Sequence, residues 1–112
     1  MNLQKNQVFI EAAKQEAMKS TCSNKHGAVV VQNNKIVSRG HNYYVRNFKQ
    51  AHTIHAEISA IYKIKCMNVK KCPMKLFVVR VVADKLALSL PCLKCKQHII
   101  SCDFITTTYY SA

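Results

Sequence analysis

The stretch "KLFVVRVV", residues 75–82, is the most strand-like in the chain. It is rich in β-branched residues, and only Lys75 and Arg80 interrupt its apolar run. A nearly continuous apolar strand is buried on both faces, which requires cover above and below it. Helices are the expected cover, and the segments on either side of this strand supply them.

Before it, "HGAVVVQNNKIVSRGHN" (26–42) reads as a hairpin. "AVVV" is a buried strand, Asn33-Asn34 suits a turn because Asn tolerates positive φ, and "KIVSRG" returns. Residues 6–20, "NQVFIEAAKQEAMKS", read as an amphipathic helix with Val8, Phe9, Ala12, Ala13 and Met18 inward. "TIHAEISAIYKI" (53–64) gives a second helix, from His55 to about Met67, with Ile54, Ile58, Ile61 and Tyr62 on its apolar stripe. After the central strand, "PCLKCKQHIISC" (91–102) opens a third helix at Pro91, with Leu93, Ile99 and Ile100 as its core stripe. "DFITTTYY" (103–110) is a final strand. The order α-β-β-α-β-α-β predicts an α/β fold of three layers, α-β-α, over a mixed sheet of about four strands. The last two strands are joined through a crossover helix and are therefore parallel.

Bulk properties narrow the function. A chain of 112 residues, 49% apolar, is read as one globular domain over 1–112, with no repeat and no low-complexity tract. The start lacks the apolar run of a signal peptide, and no stretch approaches a membrane span, so a soluble cytoplasmic protein is expected. Cys22, Cys66, Cys72, Cys92, Cys95 and Cys102 are then thiols, thiolates or metal ligands rather than disulfides. Seventeen Lys+Arg against five Asp+Glu give a formal charge of +12. Such a field suits an anionic partner, whether a nucleotide or nucleic acid, but the scattered lysines do not choose between them.

Polar, metal-competent residues open two of the helices: His55 and Glu57 on one, Cys92 and Cys95 on the other. A C-x-x-C at a helix N-terminus places both sulfurs at the positive end of the helix dipole, which favours thiolates. With His55 they form a His/Cys/Cys set, three protein ligands for Zn²⁺ that leave a tetrahedral ion one open position for water. Glu57 lies too near His55 in sequence for a comfortable fourth ligand. It stands where a carboxylate could move a proton between that water and a leaving group. The two helix N-termini would have to converge beside the carboxyl ends of the strands that precede them.

"HAE" followed 37 positions later by "PCLKC" resembles the H-x-E…P-C-x-x-C signature of the zinc-dependent cytidine and deoxycytidylate deaminase superfamily. The likeness runs from "HGAVVV" through "RGHN" and "HAEISAI" to "FITTTYYS", nearly the whole chain. It implies that His55, Cys92 and Cys95 bind one zinc ion and that Glu57 shuttles protons. It further implies that Asn42 contacts base or sugar and that the Ala56 backbone N–H contacts the base. The implied reaction is hydrolytic deamination of a cytosine-type nucleotide or nucleoside, with a tRNA-adenosine or other nucleic-acid base as the alternative. Relatives generally continue into a fifth strand and a terminal helix, which this chain is expected to lack, and they form oligomers, so a homo-oligomer is implied.

Two other readings of the same residues stand beside this one. Cys92 and Cys95 could form a thioredoxin-like dithiol, which leaves His55 and Glu57 without a task. A structural zinc module on a basic nucleic-acid binder would need a fourth protein ligand, Cys72 or Cys102. Tyr43, Tyr44, Arg46 and Phe48 are the candidates for stacking against a polynucleotide. His26, His41, His52 and His98 are read as structural.

Overall fold

The computed structural model describes residues 3–46, 51–67, 73–89 and 92–111. Its elements run α1 (Leu3–Ala17), β1 (Lys25–Gln32), β2 (Lys35–His41), β3 (Tyr43–Arg46), β4 (Ala51–Ile54), α2 (Ala56–Cys66), β5 (Met74–Val82), β6 (Lys85–Ala87), α3 (Leu93–Ser101) and β7 (Ile105–Tyr110). The central strand is β5, as its composition predicts. One of its edges takes β1 antiparallel, and β2 continues the sheet beyond β1. The other edge is shared. Residues 74–78 of β5 pair with β7 in parallel, through the crossover helix α3, while residues 80–82 pair with the short antiparallel strand β6. Ser89 and Ser111 close the join. The Ser89 hydroxyl donates to the Val78 carbonyl (3.0 Å) and accepts from the Ser111 N–H (2.9 Å).

The sheet is thus mixed and four positions wide, but it has five strands where about four were expected. The added strand, β6, hangs on a two-residue turn at Ala83 and Asp84, both at positive φ (50° and 64°). Such a turn normally signals itself with Gly or Asn, and Ala83 gives no such signal. The β1–β2 turn is placed as read, with Asn33 and Asn34 at φ 52° and 62°. A second small sheet pairs β3 with β4 between Asn42 and His55, where the sequence pattern announced no strand.

Alternation along the strands divides the core in two. Gly27, Val29 and Val31 of β1, with Phe77, Val79 and Val81 of β5, face α1, where Phe9, Ala13 and Ala17 meet them. Phe77 lies between Phe9 and a stacked Tyr109, ring centroids 5.4 and 4.6 Å away. Ala28, Val30, Leu76 and Val78 face the other way, toward Ala56, Ala60, Ile61 and Ile64 of α2 and Ile99 of α3. Helices therefore cover both faces of β5, and the three-layer expectation holds.

Three of the expected stripes are rotated. On α1, Val8 and Met18 are exposed, while Ala13 and Ala17 are buried. The reason is Gly27: a Cβ there would run into the Ala13 carbonyl and the Ala17 amide, so small residues let the helix sit directly on β1. On α3, Cys95, Ile99 and Cys102 face the sheet and leave Leu93 and Ile100 71% and 73% exposed. On α2, Ile61 is buried and Ile58 half-buried, but Tyr62 is exposed and Ala60 and Ile64 take its place. The expectations for Pro91, Phe48 and Cys72 fall outside the described residues.

Candidate active site

Two helix starts meet on the α2–α3 face of the sheet. His55 is the N-cap of α2, in extended conformation (φ −77°, ψ 152°), and its carbonyl accepts the Ser59 N–H at 3.0 Å. Cys92 is the N-cap of α3, also extended, and its sulfur accepts the Cys95 N–H at 3.4 Å. Cys92 caps its own helix with its side chain, whereas His55 makes no side-chain cap bond to α2, and its ring lies instead against the Cys92 and Cys95 sulfurs of the other helix. The strands immediately before the two helices are the short β4 and β6, not the long strands of the sheet.

α2 is held at a fixed depth. Gly40 of β2 has no side chain to keep the helix away, and a Cβ there would lie 2.7 Å from the Ala60 nitrogen and 2.8 Å from the Ala56 carbonyl oxygen. Beside it, the Ser38 hydroxyl donates to the Ala60 carbonyl at 2.8 Å. The start of α2 is therefore seated against β2 by backbone contact.

The three predicted ligand residues come together. His55 Nδ1 lies 2.9 Å from Cys95 Sγ and 3.5 Å from Cys92 Sγ, and all three donor atoms fall within 4.8 Å of one another. Tetrahedral zinc holds such atoms about 3.6 Å (N to S) and about 3.8 Å (S to S) apart. The donor types fit that ion and the His55–Cys92 separation matches it, while His55 and Cys95 stand closer than a bound ion would hold them. Burial pushes the Cys95 thiol well up, and the nearby Glu57 carboxylate and Cys92 push it further. The helix end favours a thiolate while burial opposes one, and a cation held by the three ligands would favour the deprotonated form.

Beside the cluster is a cavity of about 400 Å³. Glu57, Ala56, His55 and Cys92 line it together with Asn42, His26, Tyr44 and Thr53. Glu57 is only 4% exposed, yet no hydrogen-bond partner for its carboxylate lies among the described residues. Its charge is felt across the site: burial, then Glu57, then Cys95 push the Tyr110 phenol up to about 12. His26 is shifted the other way, held below its ordinary value by burial and the Arg80 charge although Glu57 opposes this.

Asn42 lines the cavity, but its amide is already engaged in the wall. Its Oδ1 accepts the His26 N–H at 2.9 Å, its Nδ2 donates to the Asn24 carbonyl at 2.6 Å, and its own N–H donates to the His26 carbonyl at 3.2 Å. Sequence reasoning passed over His26, Asn24 and Thr53 as parts of this wall. Counting outward from the Asn33-Asn34 turn would set residue 26 opposite 41; a register shift between Val30 and Val31, which the sequence does not announce, brings it beside Asn42 instead. Cys102 is buried in the core and Cys66 is exposed, and neither joins the cluster among the described residues.

The model of one protein family, the cytidine and deoxycytidylate deaminase zinc-binding region, matches residues 3–112. Among solved structures, the dCMP deaminase of the cyanophage S-TIM5 in apo form superposes with TM-score 0.79 at 23% identity, over 98% of this chain and 84% of that one. The cytidine deaminase of Burkholderia pseudomallei superposes with TM-score 0.70 at 23% identity, over 96% and 81%. That of Mycobacterium tuberculosis gives 0.66 at 15%, over 95% and 85%. A search of curated proteins returns no match. These likenesses share the fold, and the match along nearly the whole sequence goes further: the chain belongs to the zinc-binding cytidine and deoxycytidylate deaminase family, hydrolases that act on a C–N bond.

Proposed function

We propose that the chain removes the exocyclic amino group of a cytosine base carried on a small nucleotide or nucleoside, giving the uracil form and ammonia. One observation carries this reading: the His55, Cys92 and Cys95 donor atoms cluster beside the cavity that His55, Cys92 and the buried Glu57 line. His55, Cys92 and Cys95 would hold one Zn²⁺, which when bound lowers the pKa of water toward about 7 and supplies hydroxide at neutral pH. Glu57 is the proton carrier. Its carboxylate accepts a proton as the water oxygen attacks C4, and returns it to the amino nitrogen as the C4–N bond breaks. One water hydrogen completes ammonia, the other ends on the ring nitrogen N3, and the oxygen stays on C4. The Ala56 N–H, in the unpaired first turn of α2, donates to the base. Asn42 keeps the wall of His26 and Asn24 in place and offers its remaining amide valences to the base or sugar.

The cyanophage enzyme solved in complex with dCMP and dUMP superposes with TM-score 0.76 at 20% identity, which supports a small nucleotide. A base within a nucleic acid is the second reading, favoured by the +12 charge and by Tyr44, 63% exposed at the cavity's edge. No helix among the described residues is long and apolar enough to cross a membrane. A single cytoplasmic domain over 1–112 and a homo-oligomer complete the proposal, with exposed Leu93 and Ile100 as the interface candidates. The test is ammonia release from cytidine, deoxycytidine, CMP, dCMP, adenosine, guanine and tRNA. Turnover of a free cytosine compound is expected, and turnover of tRNA alone would replace this reading with the second.

A further inference from the structure

Beyond the cavity, on the same face of the sheet, is a second depression of about 330 Å³ lined by Asn24, His26, Arg80 and Leu88. It shares Asn24 and His26 with the cavity wall, so the two adjoin. Their register explains why. Arg80 of β5 pairs directly with His26 of β1, and it follows Leu76 and Val78 on the alternation that faces α2 and α3. Arg80 therefore belongs to the face that carries the cluster, one strand across from the cavity. Its other neighbour is Ala87 of β6, the hairpin that the sequence did not reveal. The same hairpin carries the chain on to Leu88.

Arg80 is a half-buried cation. Its guanidinium donates to Asn24 Oδ1 at 3.2 Å, a neutral partner that orients the fork and leaves other N–H groups unused. Among the described residues it has no carboxylate within ion-pair distance. Asp84, on the turn of the same hairpin, makes no pair with it. An oriented guanidinium matches two oxygens of a phosphate in a way that a lysine ammonium does not.

We infer that Arg80, oriented by Asn24, binds the phosphate monoester of the substrate, making the site selective for a pyrimidine nucleoside monophosphate over the free nucleoside. This rests on the proposed function for the identity of the base, and adds the group that distinguishes nucleotide from nucleoside. A monoester is favoured over a polynucleotide because the anion site borders a single cavity of about 400 Å³ that Glu57 lines. His26, between the two, would lie beside the sugar.

The test is a calorimetric titration of the zinc-loaded Glu57→Ala chain, which does not consume substrate, with dCMP, deoxycytidine and a short oligodeoxycytidylate. Arg80→Ala and Arg80→Lys are made in the same background, with folding checked by thermal melts. With Arg80 present, dCMP is expected to bind at least 10-fold more tightly than deoxycytidine. In Arg80→Ala that ratio should fall to about 3 or below, and Arg80→Lys should recover only part of it. An unchanged ratio in Arg80→Ala overturns the inference. So does a loss confined to the oligonucleotide, which would assign Arg80 to a polymer backbone. If the ratio behaves as stated while the Glu57 chain deaminates neither ligand, the proposed function fails and the phosphate site stands.

Discussion

Gly40→Ala offers a sharp test of how the fold sets the chemistry. The new Cβ would lie 2.7 Å from the Ala60 nitrogen and 2.8 Å from the Ala56 oxygen. Both are backbone atoms of α2, so no rotamer change relieves the clash, and the helix itself must retreat. Restoring ordinary contact at roughly 3.4 Å needs a shift of about 0.7 Å. Overpacking of this kind costs about 1–3 kcal/mol, since the cluster of Ala56, Ala60, Ile61 and Ile64 loses its fit to β1 and β2. For a chain of this size that lowers Tm by about 4–12 °C. The retreat also carries His55 and Glu57 away from Cys92 and Cys95. A misplacement near 1 Å costs about 100-fold in rate, so a loss of about 10- to 100-fold in kcat is expected. The assay is a thermal melt beside ammonia release on the zinc-loaded protein. A variant with Tm within about 1 °C and kcat within about twofold of the parent would refute the claim that backbone contact at Gly40 seats the site.

Three further outcomes follow from particular contacts. Ala83→Gly should stabilise the chain by about 1 kcal/mol, because glycine adopts the φ of 50° at the β5–β6 turn without Cβ strain; a denaturant midpoint that does not rise contradicts this. Asn42→Ala strips the acceptor from the His26 N–H and the donor from the Asn24 carbonyl, and should cost about 1–3 kcal/mol by denaturant unfolding. Burial pushes the Glu16 carboxyl up, but hydrogen bonds from Lys19 and His41 more than reverse this and hold it below its ordinary value of 4.5. Since its folded value is the lower one, its contribution is full above that ordinary value and fades as pH falls through the folded one. Acid melts should therefore destabilise the native chain more than Glu16→Gln, and equal acid sensitivity would remove Glu16 from the account.

The sheet was legible because β1 and β5 carry nearly continuous apolar runs and a recognisable Asn-Asn turn joins β1 to β2. The ligand set was legible because its donor types open two helices. Helix orientation was not, since hydrophobicity marks Val8, Met18, Leu93 and Ile100 as core while the helices pack through alanine, cysteine and the absent side chains of Gly27 and Gly40. β6 was hidden by a positive-φ alanine, and with it the site of Arg80. The wall of the cavity was hidden for another reason: His26 and Asn24 reach it only through tertiary pairing with Asn42.

The central claim is that Glu57 moves the proton at a site whose metal is held by other residues. The direct measurement is zinc content and ammonia release from dCMP, taken on the same preparations of native, Glu57→Ala and Cys95→Ser protein. The account predicts one zinc per chain and a rate reduced by at least about 100-fold in Glu57→Ala, with both zinc and rate lost in Cys95→Ser. A Glu57→Ala protein that retains zinc and native turnover would contradict it.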